Sequence, residues 1–529
     1  MRQKKLTQNF SKIKFNNIDN KIFYCLITLI SFSFTFYYGY LGVSPLDSFL
    51  IFDAGHKVLN GIHPFKDYWS ISGPLLDYIQ SILFFIFKTN WFSYVLHAAL
   101  INSLLAIIVF YFFIIIELQK INSFIYSLSV SILAYPAVGT PFMDHHAVIF
   151  SLISVIYLTL GLLKDRKIYW FLSATFLILS FFSKQIPSAY LGIIFIFFIL
   201  IHYFKKKKGL KKNTNYFFIG GLFSLTVILI IFFVNSIPLE NFLVQYILYP
   251  MTIGGDRITG LNIDLNNIIF QFKFIYFSLL PLIIVFFVIF KKNFRKESEK
   301  KDLLVLILLF LTFVIYIYIQ LLTKNQILIF FLIPFYLGVS HFYTRKYYRK
   351  NFVEIFIFLI LIITTFKYHY NYNQNKKFMD FVNTDFKLAI NAKVIDKKFI
   401  GLKWITPKYS KNPKNEIKLI NASKEIILKD NKNKIIISNY QILSVVTKTK
   451  NYAPNKWFDP RSVPQKDNKY FKTYKNFFIE SLKEQKIQNI YTIGKNKVNY
   501  FKFLNIDNCM NYNKVNEILF VANIEKCLK

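Results

Sequence analysis

The chain has 529 residues, 54% of them hydrophobic, with 62 Phe and 35 Tyr, and its 65 Lys and Arg against 28 Asp and Glu give a formal net charge of +37. That charge does not point to nucleic acid. The basic residues gather in short loops between apolar runs, and no aromatic-basic module of a known kind is present.

Residues 1–21 begin "MRQKKLTQNFSKIKF" and lead into "YCLITLISFSFTFYYGYLG". This apolar run is too long for the core of a signal peptide, so it reads as an uncleaved signal-anchor with the N-terminus in the cytoplasm. Residues 22–368 repeat apolar runs of about 20 residues, long enough to cross a bilayer as helices. They are apolar all round, which a soluble helix is not. The first loop, 43–91, is unusually rich in ionisable groups: Asp47, Asp53, His56, Lys57, His63 and Asp67. Asp53, His56, Lys57 and Asn60 follow i, i+3, i+4, i+7 and share one helical face, opposite Ile51, Ala54, Val58 and Ile62. That pattern predicts an interfacial helix with its polar face held over a membrane-level cavity. The segment 73–89, "GPLLDYIQSILFFIFKT", is short, interrupted and carries Asp77, so it is expected in the outer interface without crossing.

Basic clusters at 164–167, 205–212, 291–301 and 344–350 mark the cytoplasmic ends. With the first run, apolar segments near 92–117, 121–137, 144–163, 168–183, 187–204, 216–237, 268–290, 302–321, 325–343 and 352–368 give eleven crossings. The expected class is therefore a polytopic all-α membrane domain followed by an extracytoplasmic α/β domain over 369–529. In that domain "NKIIISNY", "QNIYTIG" and "EILFVANI" read as strands and "YFKTYKNFFIESLKEQ" as a helix. It holds no Gly-rich phosphate loop, metal-ligand cluster or nucleophile elbow. Only three cysteines occur, so a disulfide framework is excluded; a single Cys509–Cys527 bridge would need an oxidising compartment, and two unpaired thiols is the reading taken.

On this topology the outer face collects Asp144, His145 and His146 in "GTPFMDHHAVIF", Lys184 and Gln185 in "SFFSKQIPSAY", Lys324 in "LLTKNQILIF", and Asp256 and Arg257 in the longest middle loop. Each has a plain alternative: a lysine at a helix end reaches for head groups, a lone histidine sits on a surface, and Asp67 closes a turn after proline. The middles of the spans are almost free of charge, whereas ion and proton carriers need such groups at midplane depth. The placement favours an enzyme at the outer surface over a transporter or flippase.

An N-terminal span, a loop with an early Asp, "VLNGIHPFKDYW" and then "GPLLDYI" together resemble the GT-C superfamily of membrane glycosyltransferases. The likeness is to the branch of protein O-mannosyltransferases and the lipid A aminoarabinose transferase, and covers about residues 20–370. Two departures stand out: Asp47 is followed by Ser48 where the family often has Asp-Glu, and the "HPP" element is reduced to Ser72-Gly73-Pro74. The resemblance implies transfer of a sugar from a polyprenyl-phosphate donor to a glycan, lipid or protein acceptor by a single inverting displacement. It makes Asp47 or Asp53 the base, with Asp144 or Asp53 orienting the acceptor. Lys184, Arg257 and Lys324 become donor phosphate ligands, and His56, Lys57, Asp67, Tyr68, His145, His146 and Gln185 line the substrate site. Some members use a divalent cation such as Mg or Mn, which Asp47, Asp144, His145 and His146 could hold if they converged; the reading taken is no metal. A lipid-linked glycan polymerase or ligase is the alternative. The expected location is a bacterial inner membrane.

Overall fold

The structure is a computed structural model and describes residues 19–204, 208–260, 264–291, 296–324, 328–348, 351–459, 462–494, 509 and 511–528. Among the described residues, seven helices are long and apolar enough to cross a membrane: Asn20–Gly39, Trp91–Ile115, Met143–Lys164, Asn213–Val234, Ile268–Lys291, Glu297–Leu322 and Asn351–Met379. The remaining expected crossings fall on shorter helices, Lys120–Leu133, Lys167–Ser183, Ser188–Phe204 and Leu332–Tyr347, packed among them. Helices pair most of their backbone groups internally, as an apolar surrounding demands; Pro281 interrupts that ladder inside Ile268–Lys291. Small residues let neighbours approach. Ser154 Oγ donates to the Ser173 carbonyl at 2.6 Å and Ser173 Oγ to the Ser154 carbonyl at 3.1 Å, clamping Met143–Lys164 to Lys167–Ser183. Leu75–Phe87, with 13 residues, is shorter still than these helices.

The "longest middle loop" is mostly helix. Leu239–Phe242, Leu243–Leu248 and Tyr249–Thr259 run on from one another, and Asp256 and Arg257 lie on the last.

The C-terminal region forms a four-stranded sheet of order β3-β4-β6-β5, where β3 is Lys434–Ser438, β4 Asn489–Ile493, β5 Asn511–Lys514 and β6 Leu519–Asn523. β3 and β4 are parallel, linked through the helix Phe471–Glu484; the other pairs are antiparallel. Cys509 and Cys527 are joined as a disulfide, which corrects the expectation of free thiols. The cause is register. β5 and β6 pair Asn511 with Asn523, so the residues just before one strand and just after the other are brought together.

The first loop and the C-terminal region form one body. Pro45 opens the loop helix Pro45–Leu59 at a position where its missing N–H costs nothing. Phe49 stacks on Trp404 at 5.6 Å and Phe52 meets Phe399 at 5.7 Å, so the helix buries its apolar residues against the C-terminal region rather than in lipid. Strand β2, Lys403–Trp404, continues into the first span's exit: Lys403 N donates to Tyr40 O at 2.9 Å and Gly42 N to Lys403 O at 3.0 Å. Trp69 exchanges backbone bonds with Pro454 and Lys456, both 2.9 Å. Beside it Lys456 Nζ sits 2.6 and 2.8 Å from the two Asp77 oxygens, with both side chains fully enclosed, and Tyr68 Oη donates to Asp77 at 2.9 Å.

Removing one member of such a pair strands a buried charge. Lys456→Met is expected to cost about 3–5 kcal/mol and to expose the C-terminal region to limited proteolysis. Lys456→Met with Asp77→Leu should recover most of the melting temperature.

Candidate active site

Asp144 lies in the first turn of Met143–Lys164 and is 3% exposed. Lys184, capping the end of Lys167–Ser183, places Nζ 2.5 Å from Asp144 Oδ1. The third member of the group, Asp47, is in the first turn of the loop helix, half-buried, and makes no hydrogen bond or ion pair among the described residues. A helix N-terminus favours a carboxylate, but burial wins. Burial first, then the charges of Asp144, Asp380 and Asp459, push the Asp47 carboxyl up to about 6, with the Lys184 ammonium pulling the other way.

A buried chain of polar groups fixes the turn that carries Asp144. His146 Nδ1 meets Tyr135 Oη, His146 Nε2 lies 3.1 Å from His97 Nε2, and His97 Nδ1 lies 3.0 Å from Gln80 Oε1. One proton assignment satisfies every link. Gln80 accepts from His97 Nδ1–H, so His97 Nε2 accepts from His146 Nε2–H, and His146 Nδ1 accepts from Tyr135. Gln80 also packs under Gly55 of the loop helix, where an added Cβ would stand 2.6 Å from its Cγ. His145 is buried with both ring nitrogens unpartnered among the described residues, boxed by Tyr135, Phe142 and Phe378.

The backbone on either side of Lys184 is pinned to the loop. Gly73 N donates to Ser183 O at 3.2 Å, and Gln185 Nε2 donates to Ile71 O at 3.0 Å and Tyr246 O at 2.6 Å. Gly73 permits this close approach, because a Cβ there would collide with the Phe182 carbonyl.

The other first-loop candidates do not converge on Asp47. Asp53 is held by Lys57 at 2.9 Å and accepts from Ser444 Oγ at 2.5 Å; Lys57 also reaches the carbonyls of Ala453 and Asn455 at 3.4 and 3.5 Å. The shared polar face of the helix is therefore covered by the C-terminal region and does not look into a cavity. His56 contacts Thr89 and Asn60 at 3.4 and 3.3 Å. Asp67 accepts from His63 N at 2.6 Å, closing the turn after Pro64, and Tyr68 is spent on Asp77. Arg257 is half-exposed on Tyr249–Thr259, and Lys324 is exposed in the turn after Glu297–Leu322. Among the described residues no three His, Cys, Asp or Glu side chains form a group that could hold a metal ion.

Asp380, Asp459, Ser444 and Lys456 were missed from sequence. Their only signal is local: Asp380 follows the last span, and Asp459 sits in "WFDPRS". A separate cleft of about 560 Å³, not lined by Asp47, Asp144 or Lys184, opens between Trp69 of the first loop, Asn241 and Gln245, and Lys472, Asn476 and Phe477 of the C-terminal region.

Gly73→Ala is expected to push the loop off the Phe182–Ser183 backbone and lower the melting temperature by several degrees at unchanged net charge, read by thermal unfolding in detergent. No protein-family model matches the chain, and no curated protein sequence matches it.

Proposed function

We propose that the chain is a membrane glycosyltransferase that moves a sugar from a polyprenyl-phosphate donor to an acceptor at the face carrying Asp47 and Asp144. The observation that carries the reading is Asp47 itself: a half-buried carboxylate without a partner among the described residues, raised toward neutrality, beside a fixed carboxylate–ammonium pair. A general base is best poised with a pKa near the working pH. In the reaction, the acceptor hydroxyl oxygen attacks the anomeric carbon and the bond from that carbon to the donor phosphate oxygen breaks. The hydroxyl proton passes to Asp47, and polyprenyl phosphate leaves. Lys184, whose charge is felt at Asp47, would offset charge growing on the departing phosphate, with Asp144 holding its ammonium in place. Arg257 is a second candidate cation for that phosphate.

The cleft at the edge of Trp69, with Phe477, Asn241 and Asn476 in its lining, suits a polar acceptor such as a sugar ring, whose hydroxyls need partners. The apolar helices supply the surroundings for an isoprenoid tail. Eleven crossings, with the N-terminus in the cytoplasm and 369–529 outside a bacterial inner membrane, complete the reading. The Cys509–Cys527 bridge supports it, since such bonds persist in oxidising compartments.

The test is sugar transfer by membranes expressing the wild type and variants at equal abundance, with a panel of radiolabelled polyprenyl-phosphate sugars. Asp47→Asn is expected to lose about 10²–10⁴ in rate with an undiminished melting temperature. Asp144→Asn should lose both activity and stability, because Lys184 is left without its carboxylate. Since the base must be ionised, wild-type kcat/KM should rise with pH through about 6 and level off above it. If no donor in the panel is consumed, the reading fails and a lipid-linked glycan polymerase or ligase takes its place.

A further inference from the structure

The end of the bundle opposite Asp144 holds a second cleft, of about 490 Å³, where four helix ends meet. Lys164 closes Met143–Lys164, Lys301 and Asp302 stand near the start of Glu297–Leu322, Arg345 and Lys346 are in the last turn of Leu332–Tyr347, and Glu117 follows Trp91–Ile115. Three of these four helices are among those long enough to span, so the cleft lies at the depth where a bilayer presents its head groups.

The carboxylates there are already committed or solvated. Asp302, 2% exposed, is held by Lys346 at 2.5 Å and accepts from Tyr347 and from Tyr343 at 3.4 Å. Arg345 forks onto Glu354 at 2.8 and 3.2 Å. Glu117, with its side chain 84% exposed, stands 3.7 Å from Lys164. Lys301 has no hydrogen-bond or ion-pair partner among the described residues. The site thus offers two loosely held ammonium groups, Lys164 and Lys301, over a rigid paired floor, with Leu118 and Phe342 as an apolar wall.

We infer that this cleft binds a phosphate group at the membrane surface, carried on an anionic lipid. Basic recesses between membrane helices take such head groups because the phosphate finds fixed cations while its glycerol and upper chain stay against apolar side chains. The cleft is on the far side of the bundle from Asp47, and the inference does not depend on the sugar-transfer reading.

The test uses the full chain in neutral detergent, titrated with phosphatidylglycerol or phosphatidylcholine, with retained lipid counted by native mass spectrometry. Wild type should retain phosphatidylglycerol in preference, and Lys164→Glu with Lys301→Glu should weaken that retention by about tenfold or more. Neither lysine has a buried partner, so the double variant should fold; Lys301→Gln alone should weaken retention by a few-fold and serves if it does not. Lys408→Glu, an exposed reversal in the C-terminal region, should change nothing. A parallel titration with inorganic phosphate separates the sources. Displacement of phosphatidylglycerol by free phosphate would show that the phosphate group suffices, and its failure that the lipid body is needed. Equal retention of the two lipids, or equal retention by wild type and variants, overturns the inference.

Discussion

The contact on which the rest depends is the enclosed pair Asp77–Lys456, joining residues 379 apart in sequence. Burying two charges costs each its hydration, and the attraction between them repays this only when the geometry is good and spare lone pairs are filled. Tyr68 fills one. What the pair supplies is above all specificity: only one docking of the C-terminal region on the loop gives both charges a partner. Asp53–Lys57–Ser444 and the backbone exchange at Trp69 surround it and share that requirement.

The loop helix divides its carboxylates by surroundings. Asp53, six residues on from Asp47, is paired with Lys57 and accepts from Ser444 as part of the lock. Asp47 is buried enough to resist ionisation yet has no partner to satisfy it among the described residues. Asp144 is different again, enclosed and tied to Lys184 at 2.5 Å. The fold thus gives three acids three different surroundings.

Much of this was legible in the sequence. Apolar runs marked the helices long enough to cross a membrane, and short strand-like runs marked β3, β4 and β6. The i, i+3, i+4, i+7 spacing correctly put Asp53, His56 and Lys57 on one face. Periodicity says which side chains share a face and not what that face meets, so the covering by Ser444, Ala453 and Asn455 was hidden. Asp380 and Asp459 were hidden for the same reason: each is an ordinary polar residue until the fold brings its charge within range of Asp47. The disulfide turned on the register of β5 against β6, which composition does not carry.

The pairing of Lys403 with Tyr40 and Gly42 has a consequence for the order of assembly. A chain made from its N-terminus inserts its first helix hundreds of residues before the strand that seals that helix's exit exists. Through that interval Asp53, Lys57 and Asp77 lack their final partners, and closing so long a loop is among the slowest kinds of contact to form. The first loop, although made early, is therefore among the last parts of the molecule to reach its native form, and the group around Asp47 is assembled only when the far end of the chain arrives.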